Sequence, residues 1–411
     1  MIPGRRANRR CVGASLFLLL MLASVGHVYA LDSAAVLPQG MFAIFGDNKF
    51  YSPVNQVFNQ NGNKQDIATP FNNVPLGFLF GAPPGFDFGT SVVRIDQKRI
   101  ETEYTLAYGL MDKLTIGAII PYVPLANTSF SFANNTAGAN VGFVGNSLAP
   151  CPLGAPGCQA ASLTQVNAAL ASAGFKDLGN REQSGFGNVK VGARYQYYTG
   201  NYFRGAMTGG VILPTGKERD PDDLLGQSLG SDAWGLWLQL QNDVLFQQPG
   251  LGKQLGFPAA GDFFLNYTLK YDMAFPDKQT LRVCPVTNPI CATKADLNRK
   301  LGDKLSAEIG PAIGLAKGVI LSGFYRYDYI MKTDYSGPGG VPVETLEQFS
   351  SSQSHEFRVD LNFTSIPWVM EGKFGLPFVA GVSYRERFAG DNFVNVSHYI
   401  GFNFALYTSP F

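Results

Sequence analysis

The sequence predicts an all-β fold: a transmembrane antiparallel up-and-down β-barrel of about twelve strands, within a range of ten to fourteen, with long external loops. Three observations predict it. Apolar residues alternate with polar ones, as in Phe263, Leu265, Tyr267, Leu269 and Tyr271 against Asn266, Thr268, Lys270 and Asp272. Long and short gaps between such segments take turns. Beyond residue 30 there is no apolar run of the roughly 18 residues that a membrane helix needs. A period of two with both faces specified suits strands that have lipid on one side and water on the other. A soluble β-sandwich or propeller shares the alternation, but its strands are shorter.

The candidate strands are 40–47, 95–110, 113–122, 185–199, 202–213, 234–247, 262–275, 303–316, 318–331, 354–367, 374–388 and 395–407. Tight turns at Met111-Asp112, Gly200-Asn201 and Ala316-Lys317 suit hairpins. Long connections at 48–94, 123–184, 214–233, 276–302 and 332–353 follow odd-numbered strands, and 389–394 is short. In outer-membrane barrels the long loops face outward and the short turns face the periplasm, so both ends of the barrel fall on the periplasmic side. Tyr104, Tyr108, Tyr122, Tyr195, Tyr197, Tyr325, Tyr384 and Phe402 sit near strand ends, where aromatic girdles form.

Composition agrees. Charged residues make up 15% of the chain, against roughly 25% in soluble domains, and there are 32 Phe and 18 Tyr. The net charge of +1 gives no reason to expect nucleic acid as a partner. Arg5, Arg6, Arg9 and Arg10, an apolar run from Val12 to Val25, and Val28-Tyr29-Ala30 read as a signal peptide over 1–30, leaving 31–411 as the barrel. The expected location is the outer membrane of a Gram-negative bacterium, with outer-membrane lipid as the first partner.

Four cysteines remain after the signal, as Cys151–Cys158 and Cys284–Cys291, each C-x6-C with Pro after the first Cys. In an exported chain they suggest disulfides within each loop, although pairing between the loops is also open. A metal site fits less well, since no His lies near. Asp220, Asp222 and Asp223 could meet calcium, yet no loop pattern fixes their spacing, and a solvated acidic turn explains them. No metal and no cofactor is expected.

Strand parity proposes a lumen face. It places Arg99, Glu101, Glu103, Lys190, Arg194, Arg204, Asp243, Lys270, Asp272, Glu308, Arg326, Asp328, Glu356, Arg358, Asp360, Arg385 and Arg387 inward. The signs nearly balance, which argues against strong ion selectivity. Phe71, Phe78, Phe80, Phe86 and Phe88 crowd one external loop, where exposed apolar residues would form a solute-capture patch. An enzyme is not expected. The only histidines past the signal are His355 and His398, and His355 points away from its neighbours Ser354 and Glu356. By length alone, the 123–184 loop and Glu218-Arg219-Asp220 are candidates for occluding the lumen.

Several motifs resemble those of the outer-membrane family named for the MetA pathway of phenol degradation. They are Leu37-Pro38-Gln39-Gly40 before the first strand, Gly185-Phe186-Gly187-Asn188, Leu213-Pro214-Thr215-Gly216-Lys217 and Leu229-Gly230-Ser231-Asp232. The family usually carries an acidic residue where Asn188 stands. At the C-terminus Phe411 matches a barrel-assembly signal, while Pro410 interrupts the parity. The resemblance implies an outer-membrane transporter barrel and no catalytic residues. The expected function is passive uptake of small hydrophobic or aromatic solutes. The alternative is a structural or partner-binding barrel without solute flux. The sequence assigns no oligomeric state.

Overall fold

A computed structural model gives the fold and describes residues 33–246, 261–284, 291–339 and 341–408. Twelve wall strands run up and down: β1 Phe42–Tyr51, β2 Thr90–Met111, β3 Leu114–Asn135, β4 Lys190–Thr199, β5 Phe203–Ile212 and β6 Gly235–Phe246, then β7 Phe263–Ala274, β8 Lys304–Ala316, β9 Val319–Ile330, β10 Ser352–Thr364, β11 Phe378–Gly390 and β12 His398–Thr408. Each pairs antiparallel with its neighbours, and β12 returns to β1 from Phe42↔Thr408 to Tyr51↔Tyr399. Arg181–Phe186 and β4 both pair with β3, so they are two pieces of one wall strand, and the barrel closes without an edge.

The alternation works as a membrane wall requires. On β6, Leu236, Leu238 and Leu240 are exposed on the outer face, while Trp237, Gln239, Gln241 and Asp243 are buried inside. Tyr104, Tyr195, Tyr325, Tyr384 and Phe402 are also exposed, as an aromatic outer surface requires. Among the described residues no helix is long and apolar enough to cross a membrane.

The largest differences from the sequence reading lie at three boundaries. β1 continues to Tyr51, and β2 and β3 run 22 residues each, to a length of about 70 Å, far beyond any bilayer. Their outer halves, such as Arg94-Ile95-Asp96-Gln97-Lys98, stand in water and need no apolar face, so a lipid-facing stripe does not mark them. The connection after β3 is therefore 136–180, and it holds the helix α1, Leu163–Ser172, begun by a capping box of Ser162 and Gln165. The disulfides form within each loop, Cys151–Cys158 and Cys284–Cys291, with Cα atoms 5.9 and 5.5 Å apart.

Three of the motifs meet at one node. The Asn188 amide donates to the Ser231 carbonyl at 2.9 Å and accepts from the Ser231 N–H at 2.9 Å. The Thr215 hydroxyl accepts from Val189 N–H and donates to the Gly187 carbonyl. Gly216 and Gly230 let the two loop arms touch, since a Cβ on either would come within 2.6 Å of the other's Cα. The node lies where β4 meets its outer piece. Gly185 and Gly187 thus sit beside the wall's bulge on the external side. The signal-peptide reading and Phe411 lie outside the described residues.

Candidate functional site

The residues before β1 enter the barrel. Ser33–Leu37 crosses the lumen near its periplasmic end, and Ala34, Ala35, Val36 and Leu37 are buried. Small side chains bring the backbone close to the wall, and its polar groups then need partners from the wall. The Asp243 carboxylate accepts from the Ser33 hydroxyl at 2.8 Å and from the Ala34 N–H at 3.2 Å. Arg194 donates to the carbonyls of Ser33 and Ala35, Gln196 donates to that of Ala34, and the Thr115 hydroxyl accepts from Leu37 N–H. Gly109 permits the crossing, because a side chain there would collide with the Pro38 carbonyl. Leu37, Met41, Ala43, Ile366, Val379, Ala405 and Tyr407 complete an apolar periplasmic floor.

This segment borders two cavities. The larger, about 160 Å³, is walled by Phe45, Phe264, Ile320, Phe324 and Tyr407 on one hand and by the pairs Arg204–Asp243 and Arg358–Asp360 on the other. The smaller, about 90 Å³, lies against Val36 and Leu37. A third cavity of about 260 Å³, nearer the external mouth, is lined by Lys304, Asp328, Arg387 and Phe393.

Charged side chains form a belt, and its recurring unit is one carboxylate shared by two cations. Asp272 takes Lys190 and Lys270, both at 3.2 Å. Asp328 takes Lys304 at 3.1 Å and Arg326 at 2.9 Å. Glu356 takes Arg385 and Arg387. Arg358 joins Asp360 at 3.0 Å and reaches Glu308 at 3.8 Å. Arg99 pairs with Glu101, which also accepts from the Tyr51 hydroxyl, and Glu103 stands across from Asp47 in the β1–β2 register. Arg204, almost fully buried, faces Asp243 at 3.5 Å. Arg194 is spent on the N-terminal segment and on Thr208. Such sharing leaves no single-sign field along the path.

Outside the membrane the loops form a canopy. Phe88 stacks on Phe143 at 4.9 Å, Phe80 meets Phe143 edge-on at 4.8 Å, and both pack beneath α1, whereas Phe71, Phe78 and Phe86 remain exposed. The five phenylalanines therefore split between a mini-core and a surface. The three aspartates are counter-ions. Asp220 pairs with Lys176, Asp222 with Arg282 and Lys294, and Asp223 with Arg181. The Lys176 hydrogen bond holds the Asp220 carboxyl below the usual range. Arg282 also donates to the carbonyls of Ala173, Gly174 and Cys291 and stacks 3.6 Å from the Phe175 centroid. Arg299, 2% exposed, binds Glu218 and Asp277. Glu218 and Asp220 thus tie loops together above the barrel, and the N-terminal segment is what crosses the lumen. Sequence length as a guide to occlusion missed it. Its available signal was Ser33-Ala34-Ala35-Val36, small and without alternation.

His355 accepts or donates at Nδ1 with the Tyr325 hydroxyl, 2.7 Å away, on the outer face. His398 packs near Tyr384 on that face as well. Ser354 and Glu356 are buried on the inner face, so these groups do not converge.

Among solved structures, the chain is similar to the COG4313 outer membrane channel from Pseudomonas putida F1, with a TM-score of 0.52 and 12% identity over 93% of this chain and 100% of that one. Weaker similarity extends to the translocator domain of the autotransporter NalP from Neisseria meningitidis, with a TM-score of 0.38, 10% identity and coverage of 96% and 95%. The CymD monoaromatic hydrocarbon channel gives a TM-score of 0.32 and 10% identity, with coverage of 99% and 94%. No family model matches the chain, and no curated protein does. The chain has the fold of an outer-membrane β-barrel channel.

Proposed function

We propose that this protein is a passive channel for small hydrophobic or aromatic solutes in the outer membrane of a Gram-negative bacterium, exported by a leader over 1–30. The observation that carries the reading is the lumen chamber, where aromatic and aliphatic side chains stand beside the paired charges Arg204–Asp243 and Arg358–Asp360, closed toward the periplasm by Ser33–Leu37. That segment belongs to no strand of the wall and is held by a handful of hydrogen bonds, so it can move without unzipping the barrel. The neutralised charge belt supports passage of uncharged or weakly charged solutes. The exposed Phe71, Phe78 and Phe86 serve in this reading as an external capture surface, with Phe80 and Phe88 as their foundation. The motifs that resemble those of the MetA-pathway family support the same reading.

The test is permeation into proteoliposomes holding the purified protein, comparing an aromatic acid, a neutral hydrocarbon and a sugar of similar size. Selective flux of the first two, increased on deleting Ser33–Leu37, is the expected result. Equal flux of all three indicates a general pore. No flux in a folded barrel, before and after the deletion, overturns the reading and favours a partner-binding barrel, for which the exposed phenylalanines on a tied canopy are the supporting observation.

A further inference from the structure

The smaller lumen cavity holds chemistry that neither the charge belt nor the crossing segment uses. Part of its wall is made of small residues, among them Ala107, Gly117 and Gly192, with Lys190, Arg194 and Thr208 at the margins. Gly117 on β3, Gly192 on β4 and Gly210 on β5 stand side by side in register, between Ala107 on β2 and Trp237 on β6. Gly117 and Gly192 leave a flat strip along the cavity, and Gly210 beside them lies under Trp237. The Trp237 indole extends over this strip, and a methyl group on Gly210 would come within 2.7 Å of its nitrogen. Val36 and Leu37 face the strip from the N-terminal segment. The result is a slot with a planar floor and an apolar lid.

Two polar groups at its margins lack partners. Trp237 is 6% exposed, and among the described residues nothing accepts from its indole N–H. Thr105, also 6% exposed, lines the same cavity with its hydroxyl in the same state. A buried donor without an acceptor is costly, so the slot is built for something that brings one. The Lys190 ammonium lies 5.9 Å from the Trp237 ring centroid and is held by Asp272, the register partner of Trp237.

We propose that this slot binds a single flat aromatic ring carrying one oxygen substituent, with the ring on the glycine strip and the oxygen accepting from Trp237 Nε1. The proposal rests on the channel reading and names its solute class. At about 90 Å³ the slot is tighter than the ~150 Å³ engineered cavity that accepts benzene, so it takes one ring, with Val36 and Leu37 yielding, and rejects fused rings. The yielding side is the N-terminal segment, so filling the slot pushes on the element that closes the lumen.

The experiment uses the full chain with Trp234→Phe and Trp368→Phe, which leaves Trp237 as its sole indole. Emission is titrated with benzyl alcohol, toluene and cyclohexylmethanol. Benzyl alcohol is expected to act at concentrations about tenfold lower than either of the others, the worth of one hydrogen bond or of a flat fit. Toluene acting as well as benzyl alcohol overturns the hydrogen bond. Cyclohexylmethanol acting as well overturns the planar floor. No emission change in a folded barrel, as expected if water alone fills the slot, overturns the site. In proteoliposomes, Trp237→Phe should bring benzyl alcohol flux down to that of toluene, and a preference that survives the substitution overturns the slot while leaving the channel reading intact. Absence of flux in the parent protein, with the emission response present, supports the slot and overturns the channel reading.

Discussion

The barrel interior and the external canopy both bury charge, but they organise it differently. Inside the barrel the strand ladder fixes which residues are neighbours, and carboxylates such as Asp328 and Glu356 collect cations from the same or adjoining strands. In the canopy only short ladders form, such as 277–282 against 294–300, and Arg282 and Arg299 tie that hairpin to separate loops through several acceptors. The interior is one continuous wall with charges added, whereas the canopy is several small sheets and a helix joined by charges, with a disulfide in each of two loops. Removing a charge should therefore lower barrel stability in one case and release a loop in the other.

The sharpest way to break this comparison is Asp243→Ala, since that carboxylate serves both the wall and the crossing segment. It leaves Arg204 buried without its carboxylate, an expected loss of about 3–5 kcal/mol in the detergent-solubilised barrel's unfolding free energy. A cysteine placed at Ala35 should then react with a water-soluble thiol reagent far faster than in the parent. Unchanged reactivity would mean that Asp243 does not hold the segment. Next in size is Arg299→Ala, with an expected local cost of about 2–3 kcal/mol. Hydrogen exchange should rise in 277–282 and 294–300 while β1–β12 keep their protection. Spread of the increase into the strands would erase the distinction between wall and canopy. Opening Cys284–Cys291 by replacing both with Ser should cost about 2 kcal/mol, again confined to the loop and read by proteolysis there. The smallest effect belongs to His355→Phe on the lipid face, expected within about 0.5–1 kcal/mol in thermal unfolding because only the Tyr325 hydrogen bond is lost.

The wall was legible because each membrane strand must satisfy lipid and water on opposite sides, as Leu236 to Leu240 against Gln239 to Asp243 shows. That requirement lapses outside the bilayer, so the outer halves of β2 and β3 and the helix α1 were hidden within apparent loops. The charged inward positions could be proposed from parity, but not their sharing, because the two cations on Asp272 come from β4 and β7, which are distant in sequence. The crossing segment was hidden for another reason. Its backbone, rather than its side chains, makes most of its specific contacts, and the residues that recognise it, Asp243, Arg194 and Gln196, sit about 160 to 210 positions away. Similarly, Gly117, Gly192 and Gly210 are scattered along the chain and become one surface only when register aligns them.

The position of Ser33 constrains handling. It is buried inside the wall that β12 closes onto β1. Anything fused directly ahead of it starts its path within the lumen and must thread out of the barrel. An affinity tag or fluorophore placed there would occupy the conduit itself, whereas one in the canopy loops would leave it clear.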